Sequence, residues 1–220
     1  MRTFYFDLDG TILEVKERLY SLYVDIVSEL GGKTLAKGVY WQAKRGQMPE
    51  EIIAQKSNIA NVPRYISLRQ ERIELPEYLE YDKLIPQALE SLTLLKQNNR
   101  IALVTLRKSR SNLFGQLHKL ALEHLFDRVL IGDEGEGQGW QLKAKMISSE
   151  EGFEVQGAVI IGDTETEIRA GKFLNISTVA VLSGMRTKNK LAVHQPDYII
   201  KDISQMSSVL GNLPGSSKGE

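Results

Sequence analysis

The sequence predicts an α/β protein: a doubly wound, Rossmann-like parallel sheet carrying an inserted α-helical cap. Three observations predict it. Short apolar runs end in polar residues, helical patterns alternate with those runs, and one long helical stretch interrupts the alternation after the first run. Strand–helix–strand alternation favours a parallel sheet covered on both faces.

Residues 3–6 (TFYF) form the first run and lead into Asp7. A buried parallel strand reads as such an uninterrupted apolar run. Further strands are expected at 101–104, ending in Thr105; at 129–131, ending in Gly132 and Asp133; at 158–161, ending in Gly162 and Asp163; and at 178–182 and 198–200. Between them, 86–97 carries Ala88, Leu89, Leu92 and Leu95 at helical spacing behind Pro86, a residue suited to a helix start. Residues 109–122 show Leu113, Leu117, Leu120 and Ala121, and 142–149 and 166–174 complete the series.

The stretch after residue 13 has no strand signal until about residue 82. Helical segments are expected at 15–30, 35–44 and 63–79, with Leu19, Leu22, Tyr23 and Ile26 on one face. A structureless loop of that length is disfavoured inside a domain, so a helical cap or lid is expected. The resulting division is a core of 1–13 and 83–210, a cap of 14–82, and a small polar tail, 211–220 (GNLPGSSKGE), expected to be flexible.

Composition narrows the function. Lys plus Arg number 28 and Asp plus Glu number 28, so no net field draws the chain to nucleic acid or an anionic membrane. There are no cysteines, which excludes disulfides and thiolate zinc sites. No stretch approaches the about 18 apolar residues of a membrane span, and the first residues, MRTFYFDLDG, lack a leader's apolar core. A cytoplasmic protein, monomer or homodimer, is expected, with its activity in a local site. His118, His124 and His194 have no partners at metal-ligand spacing, and the glycines of GEGQG (135–139) lack the helix-opening dinucleotide pattern.

Three expected strands end in residues fit for phosphate chemistry: Asp7, Thr105 and Asp163. Parallel strands share one C-terminal edge, where ligands bind. Carboxylates gathered there repel and raise one another's pKa unless a cation intervenes. Oxygen-only ligation with retained water suits Mg²⁺. In DLDGT, Asp7 and Asp9 are two apart, so on an extended strand both face one side, and Gly10 permits a sharp turn. One carboxylate can attack phosphorus while the other moves protons.

DLDGT after the first strand resembles the first signature of the haloacid dehalogenase-like hydrolases. Thr105 after IALV resembles the second, Lys143 in QLKAKMI the third, and GDTETE (162–167) after AVII the fourth. The resemblance spans residues 3–185 and reaches the phosphoglycolate phosphatase and β-phosphoglucomutase branch, whose helical cap lies between the first two signatures. It implies a Mg²⁺-dependent phosphatase acting on a small phosphorylated metabolite. Asp7 would be the nucleophile, Asp9 the general acid and then base, Thr105 a phosphoryl hydrogen-bond donor, and Lys143 the balancing cation. Asp7, Asp163 and the Asp9 backbone carbonyl would hold the metal. A phosphosugar mutase and a non-catalytic binding module are the alternatives; dehalogenation is disfavoured because that branch lacks an acid where Asp9 stands.

Two positions depart from the pattern or compete. Glu167 stands where the family usually has Asp, and would hold a metal-bound water or Lys143. Lys145 rivals Lys143. Gly10, Leu106, Arg107 and, from the cap, Arg45 are candidate substrate contacts.

Overall fold

The apolar runs pair side by side, all parallel, and those at the centre of the sheet are buried on both faces. The computed structural model describes residues 1–132, 137–152 and 154–214. The chain opens with β1 (Thr3–Phe6) and a two-residue β2 (Leu13–Glu14). Five helices follow: α1 (Lys16–Glu29), α2 (Lys37–Arg45), α3 (Glu50–Lys56), α4 (Val62–Arg72) and α5 (Pro76–Leu79). A second two-residue strand, β3 (Lys83–Leu84), pairs antiparallel with β2, with Leu84 opposite Leu13. The helices therefore leave and rejoin the chain through one short ribbon.

Alternation then resumes with α6 (Ala88–Lys96), β4 (Arg100–Thr105), α7 (Arg110–Lys119) and β5 (Arg128–Ile131). It continues through α8 (Gly139–Ser148), β6 (Val159–Gly162), α9 (Glu165–Leu174) and β7 (Ser177–Val181). It ends in α10 (Lys188–Ala192), β8 (Tyr198–Ile200) and α11 (Met206–Leu210). The sheet order is β5-β4-β1-β6-β7-β8. Phe4 of β1 pairs with Ile101 on one side and Val159 on the other.

Side chains alternate across each strand, and the core divides accordingly. Phe4, Phe6, Leu103 and Ile161 pack with Leu92 and Leu95 of α6 and Leu113 of α7. Tyr5, Ala102, Val104 and Ile160 face the other way, onto Ala144 and Ile147 of α8 and Ala170 of α9. Among the inserted helices, Leu22 and Ile26 of α1 are fully covered, and the Tyr23 and Tyr40 rings stack at 4.4 Å.

Three expectations need correction. The single helix expected over 63–79 is two: Leu75 is extended (ψ 143°) ahead of Pro76, because a residue before proline is pushed out of the helical region. Helix α3 had no expected counterpart. The tail expected from residue 211 is held at its start, where Leu213 is 1% exposed and its carbonyl accepts from Arg2 Nη2 at 3.0 Å. The rest of that tail, from 215, lies outside the described residues, as do Asp133 and Gly135. Among the described residues, no helix is long and apolar enough to cross a membrane.

Candidate active site

Asp7 follows β1 directly, Thr105 ends β4 and Asp163 follows β6, and these three strands are neighbours. The Asp7 amide donates to the Ile161 carbonyl at 2.9 Å, which ties the two acidic loops together. Asp7, Asp9, Thr105, Leu106, Arg107, Lys143, Asp163 and Glu167 all line one cleft of about 390 Å³ at this edge. Ile73 and Glu74, just past α4, line it as well.

Lys143 is 2% exposed, on the face of α8 that meets the sheet, whereas Lys145 points to solvent. The Lys143 ammonium donates to Asp7 Oδ1 and, at 2.7 Å, to Glu167 Oε1. Burial alone would lower this lysine's pKa, but the two carboxylates outweigh it and keep the ammonium charged. The other Glu167 oxygen accepts from the Thr164 hydroxyl (2.8 Å) and amide (3.2 Å), forming a capping box at the start of α9. Both Glu167 oxygens are thus engaged, one anchoring Lys143 and one capping a helix.

Asp163 is fully buried. Its Oδ2 accepts from the Met185 amide at 2.5 Å, while Oδ1 has no hydrogen-bond partner. Two glycines leave room for it: a β-carbon would stand 2.4 Å from Oδ2 at Gly10 and 2.0 Å at Gly184. Gly10 also has φ +89°, a conformation that penalises a side chain. Burial, then the Asp7 charge, then Glu167, push the Asp163 carboxyl well above the usual carboxylate range. Burial raises Asp7 to about 7 despite Lys143, with Glu167 adding to the rise. An orphaned, buried carboxylate oxygen beside a second carboxylate fits a hard cation. Among the described residues no three His, Cys, Asp or Glu side chains form a ligand cluster. The reason is visible: Glu167 is spent on Lys143 and Thr164, and Asp9 is turned onto arginines.

Asp9 accepts from Arg107 Nη2 and, at 3.1 Å, Arg107 Nε, and Arg18 Nη2 stands 2.8 Å from its Oδ2. Burial alone would raise the Asp9 carboxyl, but the charges of Arg107 and Arg18 hold it far below the usual range. Thr105, 2% exposed, accepts from the Arg107 amide at 3.3 Å.

The remaining sequence candidates fall as follows. Leu106 lines the cleft. Arg107 lines it too, but its guanidinium serves Asp9, Asp82 and Gln116. Gly10 makes space for Asp163 and is not among the lining residues. Arg45 also stays off the cleft: its Nη2 donates to the Leu182 (3.1 Å) and Arg186 (2.9 Å) carbonyls, clamping α2 to the loop after β7. Sequence reasoning missed Arg18, Asp82, Gln116 and Arg186. Arg18 did carry a signal, since it sits four and eight residues before Leu22 and Ile26 on the apolar stripe of α1, where a charge must find a partner.

A family model described as haloacid dehalogenase-like hydrolase matches residues 4–181. A pyrophosphatase, PpaX, of Oceanobacillus iheyensis is 21% identical, aligning 96% of this chain with 98% of its own. A phosphoglycolate phosphatase of Synechococcus elongatus is 20% identical over 97% of this chain and 99% of its own. Among solved structures, a haloacid dehalogenase-like family hydrolase from Streptococcus pneumoniae superposes with a TM-score of 0.77, at 20% identity, over 94% of this chain and 97% of that one. With the family match covering most of its length, the chain belongs to the haloacid dehalogenase-like hydrolases.

Proposed function

We propose that this protein is a Mg²⁺-dependent phosphatase that hydrolyses a phosphate monoester of a small metabolite through an aspartyl-phosphate on Asp7. One observation carries the reading: the buried Lys143 grips Asp7 in the same cleft where Asp163 keeps an unpartnered oxygen. A cleft of about 390 Å³ suits a small ester.

In this reading the Asp7 carboxylate attacks phosphorus, and the Lys143 ammonium holds Asp7 in line and offsets the incoming charge. The Thr105 hydroxyl donates to a phosphoryl oxygen. Asp9 gives a proton to the leaving oxygen and later takes one from the water that splits the aspartyl ester. Mg²⁺, held by Asp7, Asp163 and the Asp9 backbone carbonyl, would supply charge neutralisation at the phosphoryl oxygens. The helical insertion covers the cleft, excludes bulk water and selects the leaving group. The related phosphatases named above support the same reaction class.

The test is phosphate release from a panel of phosphorylated metabolites with Mg²⁺. Release should stop with EDTA and in Asp7→Asn, and ³¹P NMR should show free phosphate, not phosphate returned to a sugar. Undiminished turnover in Asp7→Asn would overturn the nucleophile assignment.

A further inference from the structure

The proposed proton carrier, Asp9, is not free. Both of its oxygens accept from Arg107, and Arg18 adds a second guanidinium 2.8 Å from Oδ2. Both Asp9 oxygens are thus engaged by guanidiniums, although Asp9 still lines the cleft, so a leaving group or a water must compete with the arginines for it. A working cycle needs a device that loosens this grip.

Asp82 stands behind the pair, with its side chain wholly buried. Its Oδ1 lies 3.1 Å from Arg18 Nε, and its Oδ2 lies 3.2 Å from Arg107 Nη2 and 2.9 Å from Gln116 Nε2. Gln116 returns to the cluster by accepting from Arg107 Nη1 at 2.5 Å. Each guanidinium therefore spans two carboxylates, Asp9 and Asp82, so removing the Asp82 charge would leave both arginines to Asp9 alone.

The members also divide by place. Asp9 follows β1, Arg107 follows β4 and Gln116 lies on α7, so these three belong to the sheet and its covering helix. Arg18 lies in the first turn of α1, and Asp82 immediately precedes β3. These two flank the β2–β3 ribbon through which the inserted helices join the core, so they tie the insertion to the loop that carries Asp9.

We propose that Arg18 and Asp82 are positioning residues that set when Asp9 is available for proton transfer. Arg18 helps Arg107 hold Asp9, and Asp82 draws both guanidiniums away from it. The inference rests on Asp9 being the acid and base of the proposed reaction. It requires the two substitutions to act in opposite directions, which a merely structural cluster would not produce.

The experiment uses the full chain with Mg²⁺ and para-nitrophenyl phosphate as probe, comparing Arg18→Gln, Asp82→Asn and the double variant. Arg18→Gln should raise kcat about threefold or more, and Asp82→Asn should lower it at least about tenfold, each with KM within about twofold. The double variant should return kcat to within about threefold of the unsubstituted protein. Arg18→Lys, which keeps the charge without the fork, should fall between. Backbone hydrogen exchange at 13–14 and 83–84 should quicken in Arg18→Gln, a readout independent of turnover. If both single variants lose kcat in step with melting temperature, the inference is overturned. If the unsubstituted protein releases no phosphate, the function reading fails instead. Ribbon exchange then decides: unchanged exchange in Arg18→Gln sinks the inference, and faster exchange upholds the coupling of Arg18 to the ribbon.

Discussion

Gly184 lies so close to Asp163 that a β-carbon added there would stand 2.0 Å from Oδ2. The loop after β7 thus presses bare backbone against a buried carboxylate whose other oxygen has no partner. Gly184→Ala should push Asp163 out of place, reduce apparent Mg²⁺ affinity at least about tenfold in an activity titration, and cost about 1–3 kcal/mol of stability by overpacking. Gly115, within α7 and with nothing within 4 Å of an added β-carbon, is the control: Gly115→Ala should stabilise by up to about 1 kcal/mol. Equal tolerance at both positions would refute the crowding argument.

The acid pair predicts an unusual pH response in metal-free protein. Burial raises Asp7 to about 7, well above its unfolded range, so between about pH 4 and 7 the folded state binds a proton that the unfolded state does not. Stability should therefore fall as pH rises through that window, by up to about 1.4 kcal/mol per pH unit from this group. Asp163, also raised, adds to the same slope. Melting temperatures in EDTA should be higher at pH 5 than at pH 8, and saturating Mg²⁺ should flatten the difference. A profile that rises with pH in EDTA, in both the parent protein and Asp7→Asn, would contradict this.

The two lysines of α8 should behave in opposite ways. Lys143→Ala strands Asp7 and Glu167 together in a buried site; it should abolish turnover and cost about 3–5 kcal/mol, the usual penalty for breaking a buried ion pair. Lys145→Ala touches an exposed side chain and should change stability by less than about 0.5 kcal/mol. Chemical denaturation measures both. Glu167→Gln should lie between, since it keeps an acceptor for Lys143 but loses the charge.

Arg45 makes a different prediction. Its Nη2 bridges the Leu182 and Arg186 carbonyls from the tip of the guanidinium, a reach that the shorter lysine side chain does not match. Arg45→Ala and Arg45→Lys should both loosen α2 from the loop after β7, raising KM several-fold while leaving kcat within about threefold. A fall in kcat at unchanged KM would place Arg45 in the chemistry instead.

The main strands were legible because both faces of a parallel strand are buried and the run of apolar residues is unbroken, as in TFYF and VII. The convergence of Asp7, Thr105 and Asp163 followed from strand ends sharing an edge. The β2–β3 ribbon was not legible, since two residues carry no periodicity. Asp82 was hidden for another reason: singly it reads as a solvated charge, and although Arg18 lies on the apolar stripe of α1, only the fold shows that its partners are Asp9 and Asp82. Arg45 was read as a substrate contact because a cation beside a glycine in the insertion has that look; the backbone carbonyls that claim it come from the other end of the chain.

The strand at the centre of the sheet precedes all of its partner strands along the chain. Phe4 pairs with Ile101 on one edge and with Val159 on the other. Nascent β1 therefore leaves the ribosome with both hydrogen-bonding edges bare and keeps one of them so until residues beyond 159 have emerged. Such late, long-range closure slows folding and exposes apolar edges to aggregation. A chaperone that shields TFYF during translation would have its greatest effect over that interval, and truncation before β6 leaves this strand with an open flank.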